Sequence, residues 1–394
     1  MVLTTKQEEG LKIAVERHRN GERYTTIAGY AGTGKSTLVK FIIEALQVEP
    51  SKVCYATYTG KAAQVLAKKG NKNAITLHRL LYDSFPLPAG GFYRKKKPFI
   101  EYDVVVVDEV SMAPKELMDI LFSHNAYVIC LGDPFQLPPI DKEQDNHLLD
   151  NPHIFLDEIM RQAAESEIIR LTMDIRAGKP LELFKGNEVQ ILDKSSLVDG
   201  IYTWADQILV ATNNRRHEIN DFMRQKKGFG KEPCTGDKVI CLRNYWEDYS
   251  MGIELDPLVN GTIGYLMEEP EKIQLNAPRY VYQPGVIDAL SIHMMSDSDQ
   301  EYLSYIDPNI IHGRESVLTS YDKYKLGKAK NRIGDVIPRE FAYAYAITVH
   351  KSQGSEWDKV LVMEENFPRD KMEHARWLYT ACTRAAEKLV VIRK

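Results

Sequence analysis

The sequence predicts an α/β protein. It has two units of parallel sheet covered by helices on both faces, a small hairpin let into the first and a short-stranded β region let into the second. Three observations carry this reading. Apolar runs of strand length alternate with amphipathic runs from Tyr24 to Ile140, and again at 207–223 and 359–393; that spacing is the pattern of βα units. Two of the runs end in residues suited to phosphate chemistry, GYAGTGKST at 29–37 and VVVVDE at 104–109. From about Lys231 to Arg339 the character changes to short β-like runs separated by turn residues.

The elements follow in order. Residues 5–19 read as a helix with Leu11, Ala14 and Val15 on one face. Tyr24–Ala28 reads as a strand, and Thr37–Leu46 as the helix that follows the glycine-rich loop. Residues 52–59 form a strand, and 60–70 a helix closed by Gly70. A buried strand at 102–112 ends in two acids, and the strand at 126–140 runs into a Pro-rich loop. Residues 82–101 hold three prolines, a Gly-Gly and a basic tetrad, and read as an inserted hairpin tipped at Ala89-Gly90-Gly91. In the later β region, strands are expected at Lys238–Leu242, Gly261–Met267, Tyr280–Gln283 and Val286–His293. Residues 320–334, two tyrosines among five basic residues, read as a solvated basic loop. Residues 359–364 and 388–393 are strands flanking a helix at 370–385.

Composition sets bounds. The chain has 394 residues, is 44% hydrophobic, and carries 51 basic against 55 acidic residues for a net charge of −4. That excludes a histone-like coat of positive charge but leaves room for a basic channel. Five cysteines with no C-x-x-C pair argue against zinc ribbons and thioredoxin chemistry. No signal-peptide core and no run approaching the ~18 apolar residues of a membrane span occurs. A cytoplasmic protein is the expectation, with no membrane partner.

The loop fits G-x-x-x-x-G-K-[ST] with Gly29, Gly34, Lys35 and Ser36. Glycines let backbone N–H groups turn onto phosphate oxygens, and the helix N-terminus adds partial positive charge. Gly32, Thr33, Gly34, Lys35, Ser36 and Thr37 are the expected nucleotide contacts. Lys35 would reach the β- and γ-phosphates, and Ser36 would ligate Mg²⁺. Asp108, delivered by a buried strand to the same edge, is a second Mg²⁺ anchor, and Glu109 is placed to polarise an attacking water. Gln136 in GDPFQLPPI offers an amide able to read a γ-phosphate. Together these residues favour hydrolysis over small-molecule kinase chemistry.

In order, the chain also carries ATYTGKAAQVL (56–66), TLHRLL (76–81), LDEIMRQ (156–162), AYAITVHKSQGSEWDKVLV (344–362) and LYTACTRA (378–385). With the motifs above, this series resembles that of superfamily 1 helicases, in wording the RecD-like branch that moves 5′→3′. The resemblance covers nearly the whole chain. It implies two RecA-like P-loop domains clasping ATP, at 1–150 and at 151–232 with 339–394. It also implies a hairpin insertion at about 82–101 that splits the duplex, and an SH3-like β domain at 233–338.

The resemblance further assigns roles. Arg161 and Arg384 match arginine fingers, Gln353 a position near the phosphates with Glu356 close by, and Gln7 an adenine-reading glutamine. Thr57, Thr59, Lys61, His78, Thr348, His350 and Lys351 match single-stranded DNA contacts. Phe85, Phe92 and Tyr93 are candidate wedges. The implied partners are single-stranded and forked duplex DNA and replication or recombination proteins, and the implied cofactors are ATP and Mg²⁺. A DNA-stimulated ATPase that remodels protein–DNA complexes, an RNA helicase and a nucleotide switch remain alternatives at this point.

Overall fold

The computed structural model describes residues 3–68, 70, 71, 73–86, 92–138, 145–160, 163, 165–245, 258–280, 282–297, 299–329 and 337–394. The chain divides into two compact units. One comprises residues 1–81, 97–212 and 348–394; the other comprises 82–96 and 213–347.

The first unit contains two sheets. In the N-terminal one, β1 (Tyr24–Gly29), β2 (Val53–Thr57), β3 (Ala74–Thr76), β6 (Val104–Val107), β7 (Tyr127–Gly132) and β8 (Ile154–Leu156) pair in the order β3-β2-β6-β7-β1-β8. Every pairing is parallel. The four valines of β6 are wholly buried, as strands covered on both faces require. Ile27, Leu38, Ile42, Val106 and Ile129 form the centre of this core. The helices Thr5–Arg19 and Lys35–Leu46 pack on each other, Ala14 and Leu38 contributing their buried faces. Thr4 and Gln7 close the first helix with a capping box.

The second sheet of this unit runs in the order β11 (Gln207–Val210), β19 (Trp357–Met363), β20 (Ala385–Arg393), β10 (Val189–Asp193), β9 (Phe184–Lys185). Its pairings are parallel except that of β9 to β10. The helix Lys371–Cys382, capped by the Asp370 carboxylate, carries the fully buried Trp377 and Tyr379.

The other unit holds the hairpin β4 (Tyr82–Pro86) and β5 (Phe92–Lys96), paired antiparallel. Its expected tip lies outside the described residues, as do the side chains of Phe85, Phe92 and Tyr93. The unit's main sheet is antiparallel. It orders β14 (Glu271–Asn276), β15 (Val286–Ser296), β13 (Ile263–Leu266), β12 (Lys238–Cys241) and β17 (Phe341–Tyr343), and β16 (Glu301–Ile306) adds to β15.

Two expectations change here. Of the segment expected as a strand at 280–283, the described residues Tyr280, Tyr282 and Gln283 lie in turns, closed by hydrogen bonds from Gly285 N–H to the Tyr282 carbonyl and from Tyr282 N–H to the Pro278 carbonyl. Gly285 supplies the positive φ of +74° that the turn needs. Residues 320–329 form a helix rather than a loop, because Leu326 packs into a small core with Leu318, Ala277 and Ile287.

The helix Asn213–Lys226 clusters with this β-rich unit. Its buried Asn220 amide donates to the carbonyls of Tyr343 and Ala346 and accepts from Ala346 N–H. Its buried Arg224 forks onto Asp237 at 2.9–3.2 Å.

Candidate nucleotide site

The loop after β1 and the acids after β6 meet at the carboxyl edge of the first sheet, the expected place for a ligand in an open parallel sheet. Gly32 and Gly34 both adopt φ of +78°. Gly34 is the N-cap of the helix beginning at Lys35, so the loop turns directly into a helix N-terminus. The Lys35 ammonium donates to the carbonyls of Gly29 at 2.7 Å and Tyr30 at 3.0 Å. Burial pulls the Lys35 amine below its usual range, while the carboxylates of Asp133, Asp108 and Glu109 pull it back up. Ser36 is exposed and Thr37 half-buried at the start of the helix.

Gln7 sits against this loop with its amide in use. Its Nε2 donates to the carbonyls of Thr33 at 3.2 Å and Gly34 at 3.4 Å, and its Oε1 accepts from Thr4 N–H. At 1% exposure it braces the loop. A Cβ on Gly34 would stand 2.5 Å from Gln7 Nε2, so this packing requires glycine.

Glu109 carries φ of +52°, left-handed backbone that a non-glycine residue adopts at a cost of about 1–2 kcal/mol. Its N–H donates to Asp108 Oδ1 at 2.9 Å. Its Oε1 lies 3.7 Å from Arg384 Nη1, and its carboxylate also faces the Gly354 backbone N–H, which favours the charged form. Burial pushes the Glu109 carboxyl above the usual glutamate range; Arg384 opposes that shift and Asp108 adds to it. A buried carboxylate whose pKa is raised by desolvation is what a general base requires.

Arg384, 6% exposed, is aimed by three further bonds: Nε to the Thr380 carbonyl, Nη1 to the Ser355 carbonyl and Nη2 to Thr383 Oγ1. Gln353 is buried and donates from Nε2 to the Leu137 carbonyl at 2.9 Å. Gln136 is half-buried in the turn after β7, its N–H donating to the Asp133 carbonyl. Arg161 lies outside the described residues.

Three residues of this centre escaped the reading of the sequence. Asp133 is buried and accepts from Phe135 N–H and from the Tyr379 hydroxyl. Tyr379 also accepts from Ala31 N–H in the phosphate loop at 3.0 Å. Thr380 Oγ1 accepts from Leu137 N–H at 3.0 Å. Both Asp133 and Tyr379 lie inside recognised motifs, one turn or one strand end from residues that were named. Their neighbours' permanent charge or amide was the louder signal.

The residues matched to DNA contacts divide in two. Thr57, Lys61 and Thr348 are buried, and the Thr57 hydroxyl is spent on the Thr59 carbonyl at 2.8 Å. Thr59, His78, His350 and Lys351 are half-exposed. Tyr58 and His78 have ring centroids 5.9 Å apart, and burial pulls His350 below the usual imidazole range. A Cβ on Gly354 would meet Thr59 Oγ1 at 3.1 Å, so this motif and the one after β2 are in contact. Among the described residues, no group of three or more His, Cys, Asp or Glu side chains is arranged to hold a metal, and no helix is long and apolar enough to cross a membrane.

Comparison with known proteins gives this arrangement its context. Residues 3–201 match the AAA domain family, and residues 343–392 match the UvrD-like helicase C-terminal domain. The ATP-dependent RecD2 DNA helicase of Deinococcus radiodurans is 27% identical over 395 residues, covering 93% of this chain and 46% of that protein. The ATP-dependent DNA helicase dda of Enterobacteria phage T4 is 32% identical over 195 residues, covering 45% of this chain and 43% of that protein. This chain therefore spans less than half the length of either relative. Among solved structures, Pif1 helicases acting on forked duplex DNA align with a TM-score of 0.55 at 20% identity, over 100% of this chain and 92% of that one. A Bacteroides Pif1 with ADP-AlF3 and single-stranded DNA aligns with a TM-score of 0.53 at 18% identity, over 99% and 92%. These alignments show a mixed α/β fold with parallel sheet, matching that of Pif1-like helicases with two RecA-like domains. With an AAA domain over half its length, a UvrD-like helicase segment at its end and RecD-type relatives across nearly all of it, the chain belongs to the superfamily 1 helicases.

Proposed function

We propose that this chain is an ATP-dependent DNA helicase that moves 5′→3′ on single-stranded DNA and opens forked duplex. The observation that carries the reading is the approach of Arg384 to Glu109 at the edge of the phosphate loop. A base and a permanently charged fork from different sheets converge where a γ-phosphate would lie. In this reading the loop from Gly32 to Thr37 binds the nucleotide phosphates, Lys35 leaving its two loop carbonyls for them. Glu109 takes the proton of the attacking water, and Arg384 stabilises charge on the transferring phosphoryl group. Arg161 is the second finger. Gln136 and Gln353 report the state of the γ-phosphate in this reading. Gln7 supports the loop, and reading the adenine is its proposed second role.

The Ser36 hydroxyl and Asp108 carboxylate are hard oxygen donors of the kind Mg²⁺ takes. When bound, Mg²⁺ would neutralise phosphate charge between them. Hydrolysis then depends on the two sheets being drawn together, and release lets them part. That cycle would alternate the grips of the two lobes on DNA. Thr59, His78, His350 and Lys351 supply the accessible part of that grip, with Thr57, Lys61 and Thr348 shaping the strand ends beneath. DNA as substrate is supported by the named activities of the RecD2 and dda relatives. We further assign 1–150 and 151–232 with 339–394 to the two motor domains, 82–101 to the strand-separating insertion, and 233–338 to an SH3-like domain. Replication or recombination proteins are the proposed protein partners.

The test is ATP hydrolysis with and without single-stranded DNA, paired with unwinding of duplexes bearing a 5′ or a 3′ overhang. Stimulation with unwinding from the 5′ overhang alone is expected. Stimulation without unwinding would replace the reading with a remodelling ATPase, and stimulation by RNA alone with an RNA helicase.

A further inference from the structure

The β-rich unit contains a cavity of about 780 Å³, bounded by the helix Asn213–Lys226, the turn at Ile310–Arg314 and the strand Phe341–Tyr343. None of the roles above uses it. Its walls hold two buried polar atoms without a hydrogen-bond partner, Arg216 Nε and Tyr343 Oη. Tyr343 is only 6% exposed. Folded proteins leave few such atoms unpaired, and each calls for an explanation.

The charges on these walls are unevenly satisfied. Arg224 is paired with Asp237 and bonded to the carbonyls of Lys231 and Glu232. Among the described residues Arg216 meets no carboxylate, and its side-chain bond joins Nη2 to His217 Nε2 at 2.9 Å. Arg314, on the facing turn, also makes no ion pair among the described residues. Of the two acids on the wall, Glu232 is engaged by Lys272 at 3.6 Å, which leaves Asp221. The balance is a surplus of cationic hydrogen-bond donors.

Burial is the first cause of the shift at both imidazoles on these walls. Burial lowers His217, and neighbouring Arg216 lowers it further. His312 is lowered by burial, with Arg314 and Arg224 adding to the fall against Glu232 and Asp221. Burial pushes the Tyr343 phenol up, so it stays a donor.

An electropositive cavity with an unpaired guanidinium, a second one opposite and an unmet phenol suits an anion with several acceptor oxygens in a tetrahedral array. Guanidinium forks match phosphate geometry, and the volume accommodates a nucleotide-sized body. We infer that this cavity is a phosphate-binding site, taking a phosphate carried by a nucleotide or by a nucleic-acid strand. The site is built wholly from the β-rich unit and is independent of the phosphate loop.

The experiment uses the full chain carrying Lys35→Ala, which weakens phosphate binding at the loop. Binding of AMP is measured by calorimetry and of fluorescein-labelled oligothymidine by anisotropy, with and without Arg216→Gln or Arg314→Gln. Arg216→Gln is expected to weaken at least one probe tenfold or more, and Arg314→Gln the same probe severalfold, with the melting temperature unchanged in the exposed Arg314 variant. Loss confined to oligothymidine assigns the phosphate to a strand, and loss confined to AMP assigns it to a nucleotide. The inference is overturned if the Lys35→Ala parent binds neither probe, or if both Arg variants bind both probes as the parent does. The helicase reading is judged separately, by DNA-stimulated ATP hydrolysis of the unmodified chain.

Discussion

Arg384 Nη1 lies 3.7 Å from Glu109 Oε1, two residues 275 positions apart brought together at the edge of the phosphate loop. Arg384 is already aimed by Thr380, Thr383 and Ser355, so little reorganisation is needed for it to face a phosphoryl group. Arg384→Ala should leave nucleotide binding intact and cut ATP hydrolysis by about 10³-fold or more. Steady-state turnover alongside binding of a fluorescent ATP analogue checks this, and normal turnover would remove the finger assignment.

Glu109 should impose an acid limb on turnover. Its carboxyl titrates above the usual glutamate value because burial disfavours the charge, and only the ionised form accepts a proton. Hydrolysis should therefore fall as pH drops through a value above about 4.3. Stability moves the other way. A raised native pKa gives stability that is present below the unfolded pKa and lost as pH rises through the native one. Glu109→Gln should thus melt higher than the parent at pH 8, with the gap closing toward pH 4, while being nearly inactive.

Lys35→Ala removes the ammonium now held by the Gly29 and Tyr30 carbonyls. Turnover should be abolished, because the β- and γ-phosphates lose their main charge partner. A colorimetric phosphate-release assay would expose substantial residual hydrolysis, which would relocate the site.

Tyr379→Phe deletes one hydroxyl that serves both Ala31 N–H and Asp133. The buried carboxylate and the loop N–H both lose a partner, a change worth about 1–3 kcal/mol. Urea unfolding should register that loss, and affinity for ATP should fall because the loop is no longer anchored. Unaltered stability and affinity would mean the contact is incidental.

In the β-rich unit, Arg224 and Asp237 are 7% and 0% exposed. Asp237→Asn should destabilise by about 3–5 kcal/mol, since it strands a buried guanidinium. The effect is read as a lower unfolding midpoint. A neutral result would show that the pair is replaced by other acceptors.

Much of the site was legible because its chemistry is local. The loop at 29–37 needs glycines at fixed offsets, and a run of four valines can end only where its strand does; Gly34 at φ +78° and the buried β6 follow directly. The helix and strand boundaries of the α/β parts fell within a few residues of expectation for the same reason. The antiparallel unit was less legible. Its strand Glu271–Asn276 carries Lys272, Gln274 and Asn276 on one face, Glu301–Ile306 exposes Leu303, and both owe their existence to pairing with β15, a partner the local sequence does not name.

The sequence by itself determined the fold class, the phosphate loop, the paired acids and the order of the motifs, since these rest on residue type and short-range spacing. Only the tertiary structure decided which side chains face one another. It spent the Gln7 amide on Thr33 and Gly34 and buried Thr57 and Lys61. It also set Tyr379 between Ala31 and Asp133. Such contacts join segments up to 348 residues apart. They are fixed by packing, and by the cost of leaving a buried donor or acceptor unpaired, which no local pattern encodes.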